Sequence, residues 1–141
     1  MFLKYSRNHV HFYEHEIPLL LEVGIRLILT NVRRPNIIDL GCGDGRTLFA
    51  LYKRGLLRNV GDIVGVDISY ERIKRLKSNL PFVKGLVADA CNVKEFPDQS
   101  FDFVICSQVI EHVEDDRALL REIKRLLRKG GLLYLSSVVR N

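Results

Sequence analysis

Two patterns of apolar residues alternate along this chain. Short, nearly unbroken apolar runs that end in an acid or a glycine are separated by stretches in which apolar residues return every three or four positions. The unbroken runs read as buried strands, and the spaced ones as helices that cover them. From Glu14 the spacing of Ile17, Leu20, Leu21, Gly24, Ile25 and Ile28 predicts a helix, with Pro18 in its first turn and Pro35 beyond its end. Ile37, Ile38, Asp39 and Leu40 make the first strand. Gly41, Gly43 and Gly45 then supply a tight turn before a helix that starts at Arg46, carries Leu48, Phe49, Leu51 and Tyr52, and stops at Gly55.

The alternation continues to the end of the chain. Ile63–Asp67 is a second strand, and Ser69 is a good N-cap for a helix with Ile73 and Leu76 inward, stopped by Pro81. Residues 82–87 read as a third strand closed by Asp89, and 103–106 as a fourth, after a loop through Phe96, Pro97 and Asp98. Asp115 and Asp116 suit the start of a last helix, and Arg125, Arg128 and Lys129 its end. Its apolar face is Leu119, Leu120, Ile123, Leu126 and Leu127. Gly130 and Gly131 are expected to terminate it before a fifth strand bounded by Leu132 and Val139.

Near-continuous apolar strands alternating with helices predict an α/β fold with a mainly parallel sheet covered on both faces. Ligands of such sheets sit beyond the carboxyl ends of the strands. Asp39 with the glycines, Asp67, Asp89 and the segment from Ser107 to His112 all fall at that edge.

Composition narrows the class without changing the picture. The 141 residues suit a single domain spanning 1–141, with 1–35 as an N-terminal arm and covering helix and 36–141 as the core. A hydrophobic content of 47% and a mean hydropathy of +0.02 describe a globular protein, and the absence of a long apolar run or a signal-peptide layout leads us to expect a cytoplasmic one. Cys42, Cys91 and Cys106 have no C-x-x-C spacing, which argues against a disulfide framework and a thiolate zinc site. The net charge of +5 is spread over several helices, so a nucleic-acid partner is possible but not indicated.

The glycine run decides among ligand classes. A dinucleotide site wants G-x-G-x-x-G, whereas position 46 is arginine; no G-K-[ST] follows, so a P-loop is excluded. Asp39-Leu40-Gly41-Cys42-Gly43-Asp44-Gly45 instead resembles the [DE]-x-G-x-G-x-G motif of the class I S-adenosylmethionine-dependent methyltransferases, and within them the small-molecule type 11 domain. The resemblance spans residues 36–139 and includes Val66-Asp67, Val87-Ala88-Asp89, Ser100 to Val104, Glu111-His112-Val113 and Arg128 to Leu132.

The resemblance implies a Rossmann-like three-layer α/β/α sandwich and S-adenosylmethionine as cofactor, with S-adenosylhomocysteine as product. It implies that Asp39 and the backbone of Gly41, Cys42 and Gly43 hold the methionine moiety. Asp67 would accept from both ribose hydroxyls and Asp89 from the adenine amino group, with Ile68 and Ala90 as packing contacts and Gln108 as a further contact. That ligand carries an ammonium, a sulfonium and hydroxyls but no phosphate, so acids and bare backbone suit it. Asp44 serves equally well as a first-turn acid or as a contact. The acceptor is unidentified, with a small molecule slightly favoured. His112 is the candidate general base, against the alternative that Glu111 and His112 only order their loop. Cys106 lacks the Pro-Cys dipeptide of cytosine-5 methyltransferases and is expected in the core.

Two further expectations follow. His11, Glu14 and His15 form an H-x-x-E-H pattern, a remote zinc-hydrolase alternative; no metal site is expected, and Phe12 and Tyr13 could instead belong to a lid. The family sheet has seven strands in the order 3-2-1-4-5-7-6, and this chain is expected to lack the last two, either because the sequence is truncated or because another chain completes the sheet. The edge from Leu132 to Val139 would then be open, and we expect a homo-oligomer or partner subunit there. A cofactor-binding subunit without turnover of its own is the alternative to an active enzyme.

Overall fold

The structure, a computed structural model, describes residues 16–138. Its elements are α1 (Leu19–Asn31), β1 (Ile37–Leu40), α2 (Arg46–Lys53), β2 (Ile63–Asp67), α3 (Tyr70–Asn79), β3 (Lys84–Val87), β4 (Phe101–Ser107), a 3-10 turn (Ile110–His112), α4 (Asp116–Leu126) and β5 (Leu127–Ser136). The five strands form one sheet in the order β3-β2-β1-β4-β5, and every pairing is parallel. Strand order reverses at β1, which has β2 on one side and β4 on the other. Its carboxyl end is therefore the crevice of the sheet.

Side-chain alternation along the buried strands builds two cores. Ile37, Phe103 and Ile105 face Leu21, Ile25, Leu48, Leu51, Ile73 and Leu76 of α1, α2 and α3. Ile38, Leu40, Val64, Val66 and Val104 face Leu119, Ile123 and Leu126 of α4. The result is the three-layer α/β/α sandwich, Rossmann-like in its parallel sheet and crossover helices.

Caps agree with the residues that suggested them. Ser69 Oγ accepts from Arg72 N at 3.3 Å, and Asp115 Oδ1 from Ala118 N at 3.1 Å. Pro18 stands one residue ahead of α1, and the inward stripe is Leu21, Ile25 and Ile28, so Leu20 points outward with 74% of its surface exposed. Gly24 lets this helix lie on β4, since a Cβ there would come within 3.2 Å of the Phe103 ring.

The last helix and strand depart from expectation. α4 ends at Leu126, and Leu127 already pairs with Phe101 in β5, while Leu120 is exposed. Phe101 and Phe103 pair with Leu127 and Leu132, so residues 128–131 bulge out of the ladder. Gly130, at φ 79°, turns that bulge rather than ending the helix. Arg128 locks it by donating to Gln99 O at 3.0 Å and to the buried Asp102 carboxylate at 3.2 Å. The third strand also starts later than expected, at Lys84, leaving Phe82 outside it and exposed.

Candidate functional site

The site is built where β1, β2, β3 and β4 end. Past Leu40 the chain turns back sharply, and Gly41 N and Cys42 N both donate to Val66 O, at 2.7 and 2.9 Å. Gly41 lies at φ 74°, and a Cβ there would collide with Val109 at 2.3 Å. Gly43, at φ 58°, is different: a Cβ there would meet nothing within 4 Å, so its bare backbone faces open space. Helix α2 begins immediately afterwards, its N-cap Gly45 offering no side chain.

Three acids stand along this edge in three environments. Asp39 is 2% exposed, and no cation pairs with it among the described residues. Burial, reinforced by the Asp67 charge, pushes its carboxyl up to about 8. Asp67 is also buried, but its Oδ2 accepts from Gly43 N at 3.0 Å and its Oδ1 from Ser69 N at 2.9 Å, with Arg72 Nη1 4.0 Å away. Each oxygen thus keeps one lone pair for a ligand rather than two. Asp89 is exposed, and its Oδ1 accepts from Cys91 N at 2.8 Å in a tight turn.

These residues line a cleft with two lobes. One, of about 590 Å³, is bordered by Asp67, Ile68, Asp89, Ala90, Val109 and His112. The other, of about 440 Å³, is bordered by Asp39, Cys42, Gly43, Asp44, Ser107 and Tyr134, with Ile17 and Pro18 at the start of α1. Gly41 and Arg72 line both lobes, as does Gln108. It holds that position at φ 57°, its N–H donating to Ser136 O at 2.8 Å. No lysine lines either lobe among the described residues.

His112 does not stand beside Asp39. It belongs to the lobe of Asp67 and Asp89, its Nε2 3.8 Å from Glu111 Oε1. The thiols of Cys42 and Cys106 are buried; burial first, then Asp39, pushes both upward, Cys106 to about 12, so they stay protonated. His11, Glu14 and His15 lie outside the described residues, as do Phe12 and Tyr13. Among the described residues no group of His, Cys, Asp and Glu could hold a metal ion, and no helix is long and apolar enough to cross a membrane.

Sequence reasoning placed Ser107 at this edge but missed Arg72 and Tyr134. Tyr134 was within reach, because alternation along β5 puts it on the face of Leu132, towards α1. Arg72 gave no local signal, being one basic residue among several on α3.

Comparison with known proteins interprets this arrangement. A protein-family model described as a methyltransferase domain matches residues 38–135, from the end of β1 into β5. The chain belongs to the class I S-adenosylmethionine-dependent methyltransferases. It is 30% identical over 105 residues to a ubiquinone biosynthesis O-methyltransferase of Pseudomonas aeruginosa, covering 74% of this chain and 45% of that protein. Among solved structures, an S-adenosylmethionine-dependent methyltransferase of Mesorhizobium loti superposes with a TM-score of 0.63 at 28% identity, over 80% of this chain and 50% of that one. A Haloferax volcanii putative methyltransferase, solved in complex with the Trm112 methyltransferase activator, gives 0.64 at 26% identity, over 79% and 50%. The chain thus spans about half the length of these relatives. S-adenosylmethionine is the cofactor of the family, and the donor set fits it: acids for a cation and hydroxyls, bare glycine backbone for close approach, and Arg46 and Arg72 lining the cleft for a carboxylate. The family match begins well after the H-x-x-E-H pattern, so the zinc-hydrolase alternative gains no support from it.

Proposed function

We propose that this methyltransferase chain binds S-adenosylmethionine across the two lobes, with adenosine in the larger and the methionine moiety beside Asp39. The observation that supports this most is that the two lobes adjoin, sharing Gly41, Arg72 and Gln108, with Asp39 in one and Asp67 and Asp89 in the other. Asp39 would face the cationic half, along with the backbone of Gly41, Cys42 and Gly43. Asp67 would accept from the ribose, and Asp89 from the adenine amino group between Ile68 and Ala90. When bound, the cofactor supplies an electrophilic methyl group on a sulfonium. The protein's part is to hold it, keep water out, and leave the acceptor an approach along Ser107, Gln108 and Tyr134. His112, on the adenosine side, serves in this reading as a wall of that lobe rather than as the base.

We infer that the acceptor is a small molecule with a hydroxyl group, in keeping with the O-methyltransferases among the relatives. The edge strand β5 exposes Leu133 and Leu135, and we propose that a second copy of the chain pairs there. Calorimetry with S-adenosylmethionine and S-adenosylhomocysteine tests the central reading, and a folded sample that binds neither overturns it. Methyl transfer from labelled cofactor into small-molecule, protein and RNA fractions of a cell extract then identifies the acceptor class. Binding without any transfer would favour a non-catalytic, cofactor-binding subunit.

A further inference from the structure

Helix α4 turns one acid into the core. Leu119, Ile123 and Leu126 form its buried stripe, and Glu122 lies within that stripe at 8% exposure. Its Oε2 accepts from Val93 N at 2.5 Å, and its two oxygens accept from Arg125 Nε at 2.6 Å and Arg125 Nη2 at 3.1 Å. Arg125 spends its other donors on the same loop. Nη2 donates to Val93 O at 2.9 Å, and Nη1 to Phe96 O at 2.8 Å and to Asp98 Oδ1 at 3.1 Å. Hydrogen bonding from Arg125 holds the Glu122 carboxyl below its ordinary range in spite of burial.

Val93 thus has both main-chain groups satisfied by a single ion pair, and its side chain is fully buried. Four residues upstream is Asp89, whose main-chain O accepts from Asn92 N at 2.9 Å and whose carboxylate accepts from Cys91 N. The opposite end of the turn is tied to the site itself, since Ala88 N donates to Asp67 O at 3.1 Å. The turn from Asp89 to Asn92 is therefore short, internally bonded and pinned at each end. Apolar residues of similar volume usually stabilise a core as well as a buried ion pair does, whereas a planar fork aimed at five acceptor atoms on four residues specifies a geometry.

We propose that Glu122 and Arg125 are positioning residues for the adenosine lobe: by fixing Val93 they set where the Asp89 carboxylate and Ala90 stand. This rests on the reading that adenosine occupies that lobe. Neither residue lines the lobe, so the pair acts through the turn.

A double-mutant cycle tests it, read by calorimetric titration of the full chain with S-adenosylhomocysteine. Glu122→Gln keeps the shape and one acceptor for Val93, and should weaken binding about tenfold, as for residues coupled in one network. In an Asp89→Asn background the same change should cost less than about twofold, because the group being positioned has already been altered. A purely structural role would give equal losses in both backgrounds, and equal losses, or none in a folded variant, overturn the proposal. If Glu122→Gln does not fold, Arg125→Lys retains the charge but loses the fork, and is judged by the same criteria. If neither folds, the wild type decides by NMR: the Arg125 Nε–H resonance should shift on titration, and an unmoved resonance overturns the proposal. Failure of the wild type to bind the ligand rejects the adenosine reading itself; faster amide exchange at residues 89–93 in Glu122→Gln, with the other loops unchanged, would then still support the pinning, and uniform exchange would overturn it.

Discussion

Asp39 and Asp102 sit on neighbouring parallel strands and are both buried, at 2% and 5% exposure, yet their surroundings are opposite. Asp102, near the start of β4, accepts from Asn36 N at 2.8 Å and from Arg128 Nη1 at 3.2 Å. Asp39, near the end of β1, has no cationic partner among the described residues, and the charge that raises its carboxyl further after burial is another acid, Asp67. A buried acid with partners holds two segments together. A buried acid without one costs stability in the empty protein and stands ready for a positive ligand. The two ends of one sheet are thus divided between cohesion and binding.

The sharpest way to break this comparison is Asp39→Asn. Above pH 8, where Asp39 is ionised in the empty protein, loss of the charge facing a cationic ligand should weaken S-adenosylmethionine binding about 100-fold, equivalent to about 3 kcal/mol. The empty protein should meanwhile become more stable. In the folded state Asp39 keeps its proton up to about pH 8, whereas the unfolded chain releases it near pH 4, at about the ordinary aspartate value. The unfolded state therefore binds fewer protons between those values, and stability falls as pH rises through that window. The variant should melt several degrees higher than wild type at pH 8, about that order for a domain of this size, and show no difference at pH 3. For the same reason, wild-type affinity for the cation should rise with pH towards 8 and then level off, which titrations at several pH values will show.

Asp102→Ala should do the reverse. Removing the acceptor of Asn36 N and the partner of Arg128 should cost about 2 kcal/mol in denaturant unfolding, below the range for a fully buried pair because Arg128 is half exposed. Binding by the folded fraction should stay within about twofold of wild type. Next in size are the glycines. Gly41→Ala meets Val109, so it should lose about 2 kcal/mol of stability and bind more weakly. Gly43→Ala faces open space and should lose only about 1 kcal/mol, from its positive φ, yet lose more affinity than stability. The smallest effect is expected at His112. His112→Ala should raise the dissociation constant about threefold through lost packing, with single-turnover transfer at saturating cofactor unchanged. A fall in that rate of about 100-fold would restore the base assignment.

Much of this was legible along the chain because it is local. The strand-end acids, the Ser69 and Asp115 caps and the glycine turn each depend on residues within a few positions of one another. The α4 to β5 boundary was not legible, since Leu127 continues the helical spacing of Leu120, Ile123 and Leu126 while also fitting a strand. Pairing with Phe101 claims it for the sheet. Glu122 was hidden for a similar reason: an acid within an apolar period looks like an error in the pattern until Val93 and Arg125 arrive from other parts of the molecule.

The amino-acid sequence by itself determined the alternation of strands and helices, the family and the three acids at the carboxyl edge, because those follow from periodicity, backbone freedom at glycine and residue chemistry at fixed spacing. Tertiary structure alone decided which acid keeps its proton, how many lone pairs Asp67 has left, which lobe receives His112 and what holds the Asp89 turn. Those properties depend on burial and on partners brought together from distant segments, and the interaction of a charge with its surroundings is set by distance through space rather than along the chain.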